Sequence, residues 1–331
     1  MAESQPVNHG AFVISLDFEL HWGLRDVLEW DSPEAQKLNS VWAIVPRLLQ
    51  LFDRFEIAAT WAVVGMLFAE GRQELEESFP SVQPQYKEPE LSPYGQRVGD
   101  SHVDDPLHYG LPLIRQIQNF ASQEIASHTY SHYLCLEPGQ SGEAFQADLE
   151  AGGRLAESKG VLMSSIVFPR NQHNSGYDDL LVANGITNFR GNPNTWLFRN
   201  MASDHKQLVK RLFRLLDAYC FFGNSYATKW SEIGTDSGLF NVPGSIFLRP
   251  YTESRKQVHR LHVQRIKRAM TYAAKKKRVF HLWWHPHNFS DCTEQNFKVL
   301  AEILEHFRML NRKFGMRSQN MQQVAAAAKD K

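Results

Sequence analysis

The chain has 331 residues, and its 36 Lys and Arg balance 36 Asp and Glu, so the formal net charge is zero. That balance argues against a general electrostatic grip on nucleic acid or on an anionic membrane. Hydrophobic residues at 43% and charged residues at 22% describe a globular protein with ample core material, within the length that a single α/β barrel occupies. The three cysteines, Cys135, Cys220 and Cys292, are scattered and form no C-x-x-C, which suggests neither a thiolate metal site nor a disulfide framework. No basic stretch followed by an apolar core opens the sequence, and no run approaches the ~20 apolar residues of a membrane span. A soluble cytoplasmic protein is the expectation.

Taken in order, the chain alternates short apolar runs with helical spacing. Ala11–Leu16 reads as a buried strand that ends in two acids, Asp17 and Glu19, followed by His21 and Trp22. Acids two apart on extended chain point to one side. Helical periodicity over Pro33–Phe55 precedes a second strand at Ile57–Val64. The pattern then fails between Arg72 and Gly110, a proline-rich excursion too long for a simple connection, which makes it a candidate lid. A helix over Leu111–Phe120 leads to a third strand at Ser122–Ser127. Further strands are expected at Ser164–Phe168, Ile186–Phe189, Gly244–Leu248 and Val279–Trp284. Helices are expected between them at Gly142–Gly160, Tyr177–Asn184, His205–Phe222 and Glu253–Lys277, and a long one from Cys292 to about Phe314.

Seven strands alternating with helices predict parallel βα units in one domain over residues 1–331, a (β/α) barrel. Polar groups sit at the end of nearly every strand, where parallel barrels place their working residues. They are Asp17 and Glu19, His128 and His132, Arg170, Arg190 and Asn192, Arg249, and His285 and His287. His128 and His132 stand four apart; on one helical turn both rings reach a single ion. With one carboxylate they make a three-ligand site with an open position, the plan of a catalytic metal. The second carboxylate is free to take a proton from water, and His285 or His287 to protonate a leaving group. Trp22 and Trp284 could line the site for a sugar face or fill the barrel. His281, inside a strand, reads as a satisfied core residue.

These residues carry a resemblance. The acid pair of the first strand, Ala59–Gly65, His128-Thr129-Tyr130-Ser131-His132, Phe168-Pro169-Arg170 and His285-Pro286 resemble, in order, the motifs of the polysaccharide deacetylases of carbohydrate esterase family four. The resemblance spans Ala11 to about Phe289. It implies a distorted (β/α) barrel of about seven parallel strands and a divalent metal, most often zinc. It also implies Asp17 as base, Glu19, His128 and His132 as ligands, Arg170 orienting the base and His285 as acid. The first motif departs from the commonest form, because Phe18 stands where many members have the ligand Asp. The roles of Asp17 and Glu19 could therefore be exchanged, and His287 rivals His285.

The activity so implied is removal of an N-acetyl or N-formyl group from an amino sugar. The substrate expected is a small nucleotide- or lipid-linked intermediate of surface polysaccharide biosynthesis, with Arg190, Asn192, Trp22, Trp284 and His287 as candidate contacts. Two rival readings are an allantoinase-like hydrolase of a non-sugar amide and a non-catalytic glycan-binding barrel.

Overall fold

The computed structural model describes residues 7–192, 226–235 and 237–329. The helix expected at His205–Phe222 lies outside them. Strands β1 (Ala11–Phe18), β2 (Ala59–Val63), β3 (Gln123–Ser127), β4 (Ser165–Val167) and β5 (Asn188–Arg190) are followed by β6 (Phe240–Asn241), β7 (Ile246–Phe247) and β8 (Val279–Trp284). They form one parallel sheet in the order β6-β5-β4-β3-β2-β1-β8-β7, and a short β9 (Arg317–Ser318) pairs with the start of β1.

The two outermost strands of that sheet belong to one extended segment. Its first half pairs with β5, where Val242 N–H donates to Phe189 O at 2.9 Å. Its second half pairs with β8, where Ser245 N–H donates to His281 O at 2.8 Å. The switch of partner at Pro243-Gly244 closes the ring, so seven staves make a distorted (β/α) barrel. This is the fold expected from the sequence; the expected sixth strand is the second half of the switching segment.

Side chains alternate across the sheet, as the two-residue strand period requires. On β1, Phe12, Ile14, Leu16 and Phe18 pack outward beneath helices α2 (Val41–Arg54), α7 (Lys256–Lys276) and α8 (Thr293–Phe314). Ala11 and Val13 face inward with Ala62, Val167, Val242 and Val279. The remaining helices in chain order are α1 (Pro33–Gln36), α3 (Arg72–Glu77), α4 (Leu111–Gln118), α5 (Gly142–Ser158), α6 (Asp178–Ala183) and α9 (Met321–Lys329). The Ala-rich tail is α9, and its Met321 and Val324 fill the N-terminal mouth of the barrel. Buried Glu124 lies there too and accepts from Thr60 Oγ1 (2.7 Å) and the Gln322 amide (3.2 Å) at the start of that helix. The opposite mouth is left to polar groups.

The 72–110 excursion is seated on that mouth. Buried Arg25 donates to Leu91 O, the His21 amide donates to Leu107 O, and Trp22 Nε1–H donates to His108 O. A buried chain Asp105–His108–His21 joins the excursion to the loop after β1. No described helix is long and apolar enough to cross a membrane.

Candidate active site

Asp17 is in the inward file of β1, and Glu19 follows it one residue past the strand. Both are buried. Glu19 folds back over Gly23, where a Cβ would stand 2.2 Å from the Glu19 carboxyl carbon, so any larger residue there would displace that carboxylate. His128 follows β3 directly. The segment to His132 is a loop, not the helical turn expected, and Thr129 (φ 61°) and His132 (φ 54°) both adopt left-handed backbone. Side chains and neighbouring strands hold that shape. Asp148 of α5 accepts from the Tyr130 amide at 2.7 Å and the Ser131 amide at 3.1 Å. Thr129 Oγ1 accepts from the Tyr133 amide, and Gly65 N–H donates to Thr129 O at 2.9 Å. A Cβ on Gly65 would meet Tyr130 Cα at 2.7 Å.

The loop brings His128 Nε2 to 3.4 Å and His132 Nε2 to 3.3 Å from Glu19 Oε2. These separations are long for charge-assisted hydrogen bonds, which run about 2.7–2.9 Å. They match the edges of a tetrahedron with about 2.1 Å bonds to a central ion, which are about 3.4 Å. Among the described residues these three form the group able to hold a metal. His128 Nδ1–H donates to Val167 O at 2.8 Å, which leaves the Nε2 lone pair aimed at a carboxylate, an arrangement that a cation between them would resolve. His132 Nδ1 faces Arg25 Nη1 at 3.3 Å. A guanidinium only donates, so an ion on Nε2, with the proton then on Nδ1, would give up that long contact. The donor set of one carboxylate and two imidazoles suits zinc-like ions.

Asp17 turns away from this triangle toward Arg190 of β5, whose Nη1 and Nη2 donate to Oδ1 and Oδ2 at 2.6 and 2.8 Å. Burial alone would raise the Asp17 pKa, but the charges of Arg190 and His285 outweigh it and hold the group below its ordinary value. Arg190 is itself pinned by Ser15 Oγ (2.9 Å), by Asn171 Oδ1 (3.1 Å) and by Trp283, whose ring lies 4.3 Å below the guanidinium carbon. Glu19 sits well below its usual value: burial pushes it up, and His285 with the two facing histidines pulls it down further.

His285, at the end of β8, points Nε2 at both acids, 3.6 Å from Asp17 Oδ2 and 3.6 Å from Glu19 Oε1. Its Nδ1–H donates to Asn288 Oδ1 at 3.2 Å, so Nε2 is the nitrogen left to exchange a proton. Its side chain keeps 23% exposure, enough for a substrate to reach it. His287 stacks behind it at 4.9 Å, and burial followed by the His285 charge lowers its pKa to about 4, so it stays neutral.

Several expected contacts lie elsewhere. Arg170 sits on the rim, paired with Asp26, because the turn after β4 carries its side chain outward (φ 53°); the arginine that faces Asp17 is Arg190, one strand further on. Trp284 belongs to the outward file of β8, fully buried against Phe289, and so cannot meet a sugar. Trp22 is also buried, fastened to His108 O. The half-buried Trp283 is the one beside the site. Asn192 donates to Asn171 O at 3.2 Å and buttresses the Arg190 partner rather than the metal triangle. Sequence reasoning passed over Ser15, Asn171 and Asn288, and left Trp283 as barrel filling. The signal for Trp283 was available: it shares strand parity with His281 and His285.

No family model and no curated protein matches the chain. Among solved structures, a Mycobacterium smegmatis protein assigned as a polysaccharide deacetylase superposes with TM-score 0.58 at 16% identity, over 98% of this chain and 92% of that one. The Puue allantoinase follows with TM-score 0.56 at 11% identity, over 98% and 91%. A 4-alpha-glucanotransferase from Thermococcus litoralis gives TM-score 0.52 at 11% identity, over 96% of this chain and 40% of that one. The resemblance read from the motifs is thus matched by a likeness of fold: this chain shares the distorted (β/α) barrel of the Mycobacterium smegmatis structure.

Proposed function

We propose that the protein is a metal-dependent hydrolase that removes an N-acyl group, acetyl or formyl, from an amino sugar. One observation carries the reading: Glu19 Oε2 stands 3.4 and 3.3 Å from His128 Nε2 and His132 Nε2, separations that suit two ligand edges of a tetrahedral metal site, with Asp17 and His285 side by side on its flank. A divalent ion such as zinc, held by these three residues, would supply Lewis-acid polarisation of the acyl carbonyl and acidify water. Asp17, kept ionised by Arg190 and aimed by its two hydrogen bonds, takes the proton from the attacking water. His285 Nε2 delivers a proton to the departing amine, and Asn288 keeps that nitrogen available. His287, neutral and stacked behind, supports the ring. The substrate we propose is a small, intracellular nucleotide- or lipid-linked sugar intermediate of surface polysaccharide synthesis.

The test is elemental analysis of protein purified without chelator, followed by acetate or formate release from N-acylated sugar nucleotides. One ion per chain in wild type, absent in H128A/H132A, with turnover lost in parallel, is the expected result. Protein that neither contains nor binds metal would overturn the reading. The fold likeness to an allantoinase favours a second reading, hydrolysis of a non-sugar amide; release of product from allantoin but not from any N-acyl sugar would decide for it.

A further inference from the structure

The turn after β4 holds a side chain that the proposed mechanism does not use. Arg170 and Asn171 are consecutive, and both adopt left-handed backbone at φ 53°. Residues with a Cβ enter that region at a cost, and asparagine is one of the few that does so readily. Two of them in a row beside a candidate active site are a reason to look for function. The turn is closed on itself: the Asn171 amide donates to Phe168 O at 2.9 Å, and the Gln172 amide to Pro169 O at 3.0 Å.

Asn171 Oδ1 accepts from Arg190 Nη2 at 3.1 Å. A guanidinium only donates, so the atom facing it must be the oxygen, and the two arms of the amide cannot be exchanged. The same Nη2 donates to Asp17 Oδ2 at 2.8 Å. One nitrogen therefore separates the Asn171 amide from the carboxylate oxygen that faces His285. Nδ2, the other arm of the amide, is turned away from the cation. Asn171 is half-buried, and among the described residues none accepts a hydrogen bond from Nδ2.

The polar side chains next to it are engaged. Arg170 is paired with Asp26. Gln172 donates to Glu137 Oε1 at 2.7 Å and accepts from the Leu136 amide at 3.1 Å. Asn192 Nδ2 donates to Asn171 O at 3.2 Å. Asn171 Nδ2 is thus a donor whose direction is set by the buried arginine behind it and which still lacks an acceptor.

The chemistry of an N-acyl amino sugar says what that acceptor is. Its carbonyl oxygen is the atom to be polarised, and its amide nitrogen is the one that His285 protonates. The acceptors left over are the hydroxyl oxygens of the sugar. Resting on the deacylase reading for the chemistry, we infer that Asn171 is a substrate-binding residue, its Oδ1 braced on Arg190 and its Nδ2 donating to a hydroxyl of the amino sugar. The side chain that steadies the arginine of the Asp17 fork then also reads the sugar, which makes the turn after β4 a specificity element.

The experiment is calorimetric titration of the full chain with glucosamine and its 3-deoxy, 4-deoxy and 6-deoxy analogues, amines that cannot be deacylated. Wild type is expected to bind one deoxy analogue about tenfold more weakly than the parent, the effect of one lost hydrogen bond. N171D keeps an oxygen for Arg190 and removes the donor; N171G removes both and suits the left-handed backbone. Both are expected to bind glucosamine about tenfold more weakly, no longer to distinguish that analogue, and to keep wild-type metal content, which reports the fold. Wild-type affinity and discrimination in N171D would overturn the inference and leave Asn171 as a brace for Arg190. Failure of wild type to bind any of the four sugars would overturn it as well. The two readings separate when acyl release from the N-acetyl sugars is measured beside binding. Release with an unaltered N171D sinks the contact alone, and Asn171-dependent binding without any release sinks the activity alone.

Discussion

Arg190 grips both oxygens of Asp17 from across the barrel, at 2.6 and 2.8 Å, and this fork sets both the direction and the charge of the carboxylate. A planar guanidinium matched to a carboxylate cannot be replaced by a point charge. R190M is expected to lower kcat about 100-fold, in the range seen for loss of a positioned general base. Removing the cation also raises the Asp17 pKa, so the acidic limb of the kcat/KM profile should move to higher pH. R190K should restore the limb more fully than the rate. R170A, which breaks only the rim pair with Asp26, should stay within about threefold of wild type. An R170A defect as deep as that of R190M would refute this division of labour.

The two acids of β1 can be told apart by metal content. Glu19 Oε2 faces both histidines, whereas Asp17 is committed to Arg190. E19Q is therefore expected to weaken metal binding by about 100-fold or more, with activity recovered only partly at high metal concentration. D17N should keep wild-type metal content and lose turnover. If D17N is the variant that loses metal, the roles are exchanged.

Much of this arrangement was readable in the sequence, for a physical reason. Strand parity is strict, so Asp17 with Glu19, and His281 with His285, had to share a face once β1 and β8 were recognised. The ends of apolar strands marked the rim where these polar groups gather. What was not readable came from outside local periodicity. The His128–His132 loop depends on Asp148, which lies on another element, and on backbone at positive φ that no spacing rule foresees. Arg190 and Arg170 end neighbouring strands, and only the turn after β4, which swings Arg170 to Asp26, decides between them. The two tryptophans at 283 and 284 required the register of β8 against β1, which places Trp283 opposite Ser15 and Trp284 opposite Leu16. The partner switch at Pro243-Gly244 joins β6 and β7 through long-range pairing alone.

His285 owes its free Nε2 to Asn288, whose Oδ1 accepts the hydrogen bond from Nδ1–H. N288A should free the ring to adopt the other tautomer and lower kcat about tenfold, with KM little changed. H285A should cost about 100-fold or more. H287F keeps a flat ring against His285 and should retain activity within a few fold. A steady-state comparison of the three variants decides this, and an inactive H287F beside an active H285A would reverse the assignment.

His281 links the site to stability. It is fully buried, its Nδ1–H donates to Val242 O at 3.0 Å, and its Nε2 accepts from Ser15 Oγ at 2.7 Å. The same hydroxyl accepts from Arg190 Nη1, so a proton on His281 Nε2 would meet a donor-rich surrounding. Burial, with the nearby Arg190 charge, lowers its pKa to about 3. In the unfolded chain it titrates near 6.5. The folded value is the depressed one, so this group's contribution is intact above about pH 6.5. It is lost as pH falls toward 3, because the unfolded state binds the proton first. At pH 4.5 the deficit is about 2–3 kcal/mol. Urea unfolding at pH 7 and pH 4.5 should show that much less acid destabilisation in H281Q than in wild type. The other buried histidines contribute equally to both proteins and cancel in the comparison. Equal acid sensitivity would mean that His281 is protonated in the native barrel, and the Ser15–Arg190–Asp17 chain built on its lone pair would then have to be redrawn.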